Sequence, residues 1–118
     1  MLNNSRLKNL FKLGMKVTVY VPSTVDIDKP IDNTEYVNDV ATKLSNWFGG
    51  ATATDAVGCW VSPTAGLVRE KTTLVFAYCN QCDLENNIDE LIDLCEDLKK
   101  RMSQDSIALE INGEMNFI

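Results

Sequence analysis

Cys79-Asn80-Gln81-Cys82 is a C-x-x-C spacing, and it is the first place in this chain where side chains could do chemistry. Two thiolates so spaced can hold zinc or cycle as a dithiol. Zinc needs two further ligands. With no His in the sequence, only Cys59 and Cys95 remain as soft donors. Cys95 falls on the apolar stripe of a helix, where a free thiol behaves as a small hydrophobe. Cys59 falls on a strand whose hairpin pairing sets it opposite about residue 70, far from Cys79. The cysteines therefore read as structural, and neither metal nor cofactor is expected. Asp26, Asp28 and Asp32 offer oxygen ligands but lack the central Gly and terminal Glu of a calcium loop. They read as a solvated loop.

Other catalytic patterns are missing. The absence of His removes the commonest general base. Gly49-Gly50 follows a helix instead of opening one, so it is neither a P-loop nor a dinucleotide turn. It reads as a left-handed helix cap. With Thr52, Thr54 and Asp55 beside it, the Gly49–Asp55 turn is a candidate small-molecule contact.

Charge is uneven along the 118 residues. Residues 1–16 carry Arg6, Lys8, Lys12 and Lys16 and no acid, whereas 17–118 carry a net charge of −10. An acidic body argues against direct binding to nucleic acid. The basic lead has no long apolar run and no small-residue cleavage site, so it does not read as a signal peptide. No stretch reaches the roughly 20 apolar residues of a membrane span. The cytoplasm is the expected location, with no membrane association. Residues 1–15 read as a basic N-terminal helix or tail, and 16–118 as one α+β domain.

The elements that must position these groups follow from periodicity. Val17, Val19 and Val21 alternate with polar residues, and Pro22 ends that strand. Asp32 and Glu35 have capping-box spacing ahead of a helix over 34–48. Residues 51–61 and 67–79 read as strands of a hairpin joined by Ser62-Pro63-Thr64-Ala65-Gly66. Trp60 is expected half-buried on that sheet. Asp83 is the candidate cap of a second helix, whose stripe runs through Leu84, Ile88, Leu91, Ile92, Cys95, Leu98 and Met102. Its outer face carries Glu85, Asp89, Asp93, Glu96 and Asp97. Ile107, Leu109 and Ile111 form a strand, Asn112-Gly113 suits a type I′ turn, and 115–118 return. The order β-α-β-β-α-β predicts a ferredoxin-like antiparallel sheet with two helices on one face, plus a C-terminal hairpin strand.

Phe48-Gly49-Gly50-Ala51-Thr52-Ala53-Thr54, with Gly58, Trp60, Val68, Glu70 and the Val75–Cys79 strand, resembles small proteins encoded by plasmids and phages of Gram-positive bacteria. More distantly it resembles ferredoxin-like folds related to nitrogen-regulatory PII proteins. Small acidic proteins of mobile elements that lack a catalytic motif are similar in class to inhibitors of host defence, anti-CRISPR proteins among them. The expectation is therefore a non-enzymatic inhibitor. Its acidic helix face (Glu85, Asp89, Asp93, Glu96, Asp97) would block a basic surface of a protein partner. The alternative is a PII-like regulatory module that self-associates and binds a ligand at Gly49, Gly50, Thr52, Thr54 and Asp55.

Overall fold

Residues 2–25 and 29–118 are described by the computed structural model. Asp26 and Asp28 lie outside them. A single helical turn, α1 (Ser5–Lys8), is capped by Asn4, whose Oδ1 accepts from the Arg6 and Leu7 amides at 2.9 and 3.3 Å. The lead around it is exposed throughout residues 2–14. Strand β1 (Met15–Pro22) follows, then a small ribbon of β2 (Thr24–Val25) and β3 (Lys29–Pro30). Helix α2 (Thr34–Phe48), strands β4 (Thr52–Ser62) and β5 (Gly66–Cys79), and helix α3 (Gln81–Arg101) come next. The chain closes with β6 (Ala108–Ile111) and β7 (Glu114–Phe117).

The main sheet has the order β4-β5-β1-β6-β7, antiparallel at every pairing. This is the ferredoxin-like α+β arrangement, with β7 added at one edge. Period-two alternation decides which face is covered. Val17, Val19 and Val21 of β1 and Val75, Ala77 and Cys79 of β5 point toward the helices and are buried. There they meet Val40, Leu44 and Phe48 of α2, and Leu91, Leu94, Cys95 and Leu98 of α3. Burying a Leu or Val stabilises the fold by about 1.5–3 kcal/mol each, so this layer holds helices and sheet together. Arg101 ties the two helices from outside. It reaches Asp39 at 3.0 Å and Asp97 at 3.1 Å and lies over the Tyr36 ring.

Local signals differ from the sequence reading at two points. Asn80, not Asp83, caps α3, its Oδ1 accepting from the Asp83 amide at 2.7 Å. The helix thus starts earlier and Asp83 becomes a first-turn acid facing the helix dipole. Asp32 does not form a capping box; its Oδ1 accepts from the Thr34 amide at 3.0 Å, and Asn33 occupies the cap position without a capping hydrogen bond. The Asn33 side chain is engaged elsewhere, donating to the Val21 and Pro22 carbonyls. At the other end of α2, Gly49 adopts φ 90° and donates to the Ser45 carbonyl, the left-handed cap expected there. Asn112 and Gly113 both take positive φ, as a type I′ turn requires.

The sheet's other face carries no helix. Lys16, Thr18 and Tyr20 of β1, Leu74, Phe76 and Tyr78 of β5, and Met115 and Phe117 of β7 lie on it by alternation. Strand β1 stops pairing at Pro22–Thr72, while β4 and β5 continue to Ser62–Gly66. Residues 57–71 therefore form a two-stranded arm beyond the end of β1.

Candidate active site

Where the arm leaves the sheet, the chain encloses a cleft of about 340 Å³. Tyr20 and Pro22 from β1, Gly58 from β4, Glu70 and Thr72 from β5, and Phe117 from β7 line it. Thr24, Lys71 and residues 104–108, between α3 and β6, complete the lining. This volume falls in the range of small-ligand sites.

Each wall has a local cause. Pro22 cannot donate to a ladder, so β1 ends and the arm continues alone. The Thr72 hydroxyl donates to the Val21 carbonyl at 3.0 Å and pins the base of the arm to β1. Ser103 takes φ 50° just past the end of α3. Gln104 Nε2 then donates to the Thr24 and Met102 carbonyls at 2.6 and 3.0 Å, fixing the loop over the cleft. Ile107 is buried and exchanges backbone hydrogen bonds with Ile118.

The cleft mixes carboxylates with aromatic rings. Glu70 stands opposite Gly58 in the β4–β5 register, so no side chain covers it from across the strand. Trp60 Nε1 donates to Glu70 Oε1 at 3.3 Å. Asp105 brings a second carboxylate from the loop, and the Tyr20 and Phe117 rings supply apolar surface. The two carboxylates favour a cationic group and the rings an apolar or aromatic part, with the Lys71 side chain also on the lining. Further along the bare face, the Lys16 ammonium sits 4.6 Å from the Phe76 ring centroid. Thr18 Oγ1 is buried there without a hydrogen-bond partner.

The residues singled out from sequence fall elsewhere. Glu85, Asp89, Asp93, Glu96 and Asp97 are all exposed on the outer side of α3, across the sheet from the cleft. Gly49, Gly50 and Thr52 border a different hollow, with Leu13, Phe48, Ala51, Phe76, Ala77 and Tyr78, that has no charged side chain. Thr54 lies further along the bare face. Asp55 points to the helix side, where it accepts from Thr73 Oγ1 at 3.4 Å. The five turn residues therefore do not converge.

Cys59 stands opposite Arg69, as the hairpin reading placed it, ten residues along β5 from Cys79. At ~3.3 Å per residue that is a separation of about 30 Å. All four thiols are free, and no group of three metal-ligating side chains gathers among the described residues. Burial pushes the Cys79 thiol up, with Asp83 adding to it. Burial, and then Glu96, pushes Cys95 up to about 12. Both shifts disfavour the thiolate that redox chemistry needs. Trp60 is half-buried, as expected, on the arm portion of β4.

No family model matches the sequence, and no curated protein matches it. In three dimensions it superposes on solved structures of a phage SAM lyase. The apo form aligns with a TM-score of 0.62 at 21% identity, covering 92% of this chain and 94% of the other. The form in complex with S-methyl-5′-thioadenosine aligns with a TM-score of 0.61 at 18% identity, covering 93% and 92%. At such identities the likeness shows a shared fold, and the proteins that share it come from phage. It corrects the functional expectation drawn from sequence. The fold's solved examples here are of an enzyme, not a non-catalytic inhibitor or a PII-type regulator. No helix among the described residues is long and apolar enough to cross a membrane.

Tyr20, Glu70, Asp105 and Phe117 were not selected as site residues from sequence. Glu70 entered only within a family resemblance. The available signal was parity: Tyr20 is out of phase with Val17, Val19 and Val21, which assigns it to the sheet's other face.

Proposed function

We propose that this chain is a lyase of S-adenosylmethionine, with the cleft between β1, the arm and residues 104–108 as its active site. The observation that carries the reading is Glu70 in a small aromatic-walled cleft, on a fold matched over nearly its whole length by a SAM lyase. The substrate carries a sulfonium, an α-ammonium and a carboxylate. In the reaction the bond from sulfur to Cγ of the methionine part breaks. Its electron pair stays on sulfur, giving neutral S-methyl-5′-thioadenosine. The substrate's own carboxylate oxygen forms the new bond to Cγ and closes a lactone. No water, oxidant or general base is consumed, which suits a chain without His.

The roles follow from where charge persists. Sulfonium and carboxylate neutralise each other as the bond forms, so a dry apolar wall of Tyr20 and Phe117 favours the step over water. The ammonium stays charged throughout, and Glu70 holds it, so that the carboxylate faces Cγ. Orientation of this kind is a large part of the rate of an intramolecular displacement. The open cleft needs a cover to exclude water. A second copy of this chain supplies it, because Tyr78, Met115 and Phe117 are between 41% and 73% exposed on the bare face. Patches of that kind mark association sites.

The test is direct. Purified protein is incubated with S-adenosylmethionine and S-methyl-5′-thioadenosine is measured by mass spectrometry, with sedimentation reporting the oligomer. Glu70→Gln is expected to lower cleavage by about a hundredfold, the worth of a hydrogen bond to a charged group. It should weaken binding of S-adenosylmethionine and leave S-methyl-5′-thioadenosine, which has no ammonium, almost unaffected. Wild-type protein that forms no S-methyl-5′-thioadenosine, or a Glu70→Gln variant with full activity, overturns the reading.

A further inference from the structure

The carboxylate assigned to the substrate ammonium stands at the root of an exposed two-stranded arm. Gly58 opposite gives it no lateral support. Among the described residues Trp60 is the one side-chain donor to Glu70, from Nε1 to Oε1 at 3.3 Å. Trp60 pairs with Val68 and Gly58 with Glu70, so Trp60 and Glu70 are diagonal neighbours on one face, the relation in which a long side chain reaches across strands. Trp60 is not among the residues that wall the cleft. An indole is a donor only, with few rotatable bonds. Holding Oε1, it fixes the carboxylate's direction while Oε2 has no protein donor among the described residues.

We propose that Trp60 is a positioning residue for Glu70, acting on the substrate only through that carboxylate. The inference rests on the lyase reading above. It makes Trp60 matter for the substrate that carries an ammonium and not for the product that lacks one.

A double-mutant cycle on the full chain tests it: wild type, Trp60→Phe, Glu70→Gln and the pair, each checked by thermal melting. Phe keeps an aromatic ring on the arm and removes the donor. Trp60→Phe is expected to lower kcat/KM for S-adenosylmethionine about tenfold, in line with loss of one charge-assisted hydrogen bond. In the Glu70→Gln background the same change should alter kcat/KM by less than ~2-fold, because residues acting through one contact are non-additive. Affinity for S-methyl-5′-thioadenosine should stay within about twofold of wild type in all four proteins, as expected where no ammonium is held. Equal losses in both backgrounds, wild-type kcat/KM in Trp60→Phe, or a parallel loss of S-methyl-5′-thioadenosine affinity each overturn the inference. The outcomes separate the two readings. Inactive wild-type protein removes the lyase reading and this inference with it, whereas active wild type with an indifferent Trp60 removes this inference alone.

Discussion

Gly58 stands directly opposite Glu70 at the root of the β4–β5 arm, and a Cβ at position 58 would lie 3.7 Å from the Glu70 carbonyl oxygen. That is ordinary contact, and Gly58 does not have a left-handed backbone. The strand could therefore accept a side chain. The fold gains nothing from glycine here, since glycine inside a strand is about 0.5–1 kcal/mol worse than alanine. The space it leaves beside Glu70 opens the cleft. Gly58→Val should accordingly melt at or above the wild-type temperature while binding of S-adenosylmethionine weakens by about tenfold or more, as expected when a side chain fills a ligand pocket. Calorimetry and equilibrium binding on the same sample check the two directions. A variant that binds as wild type does would place the ligand elsewhere.

Leu91 and Leu98 are fully buried beneath the sheet on the inner stripe of α3. Leu91→Ala and Leu98→Ala should each destabilise by about 2–5 kcal/mol, the range for a truncated Leu in a packed core. Urea titration measures this, with an unchanged m-value expected if only the native packing is lost. A loss below ~1 kcal/mol at both sites would contradict the helix-on-sheet core.

Cys95 gives a pH signature. Burial, then Glu96, raises its thiol from 9.0 to about 12 in the folded chain. The folded state therefore holds its proton where the unfolded state releases it. The stabilising contribution is fully present below pH 9.0 and is lost as pH rises from there toward about 12. The comparison that isolates the thiol is Cys95→Ala against wild type. Wild type should lose more stability than Cys95→Ala between pH 8.5 and 10.5. Parallel curves would show that the thiol is not shielded in the fold.

Much of this architecture is legible in the sequence because it is periodic. Val17, Val19 and Val21 fix the covered face of β1, the Leu84–Met102 stripe fixes the inner side of α3, and Asn112-Gly113 fixes the last turn. Cap choice was less legible, since Asn80 and Asp83 both suit a helix start and only the path of β5 into α3 decides between them. The site was hardest to read. Tyr20, Gly58, Glu70, Asp105 and Phe117 come from separate elements and share no spacing. The pairing of Gly58 with Glu70 depends on a hairpin register in which one residue of slip exchanges the faces. A run of acids on one helix is conspicuous by comparison, but a lone carboxylate beside a glycine on an exposed arm is not.

That contrast sets the last prediction. Asp89, Asp93 and Glu96 are exposed on the outer side of α3, and the sheet separates them from the cleft. The combined variant Asp89→Asn, Asp93→Asn and Glu96→Gln should fold normally, since exposed substitutions shift stability by about 0.5 kcal/mol or less each. S-adenosylmethionine carries a net positive charge, so the chain, −6 overall, draws it in from a distance. A helix alone is ~10 Å across. The three acids thus lie beyond the ~8 Å screening length of 0.15 M salt. Cleavage at that ionic strength should stay within about twofold of wild type, and a larger decrease in kcat/KM should emerge only at ~0.01 M salt, where the screening length reaches 30 Å. Measuring kcat/KM at both salt concentrations separates a distant field from a contact. A tenfold loss at 0.15 M would put these carboxylates in the substrate's path and move the active site off the bare face of the sheet.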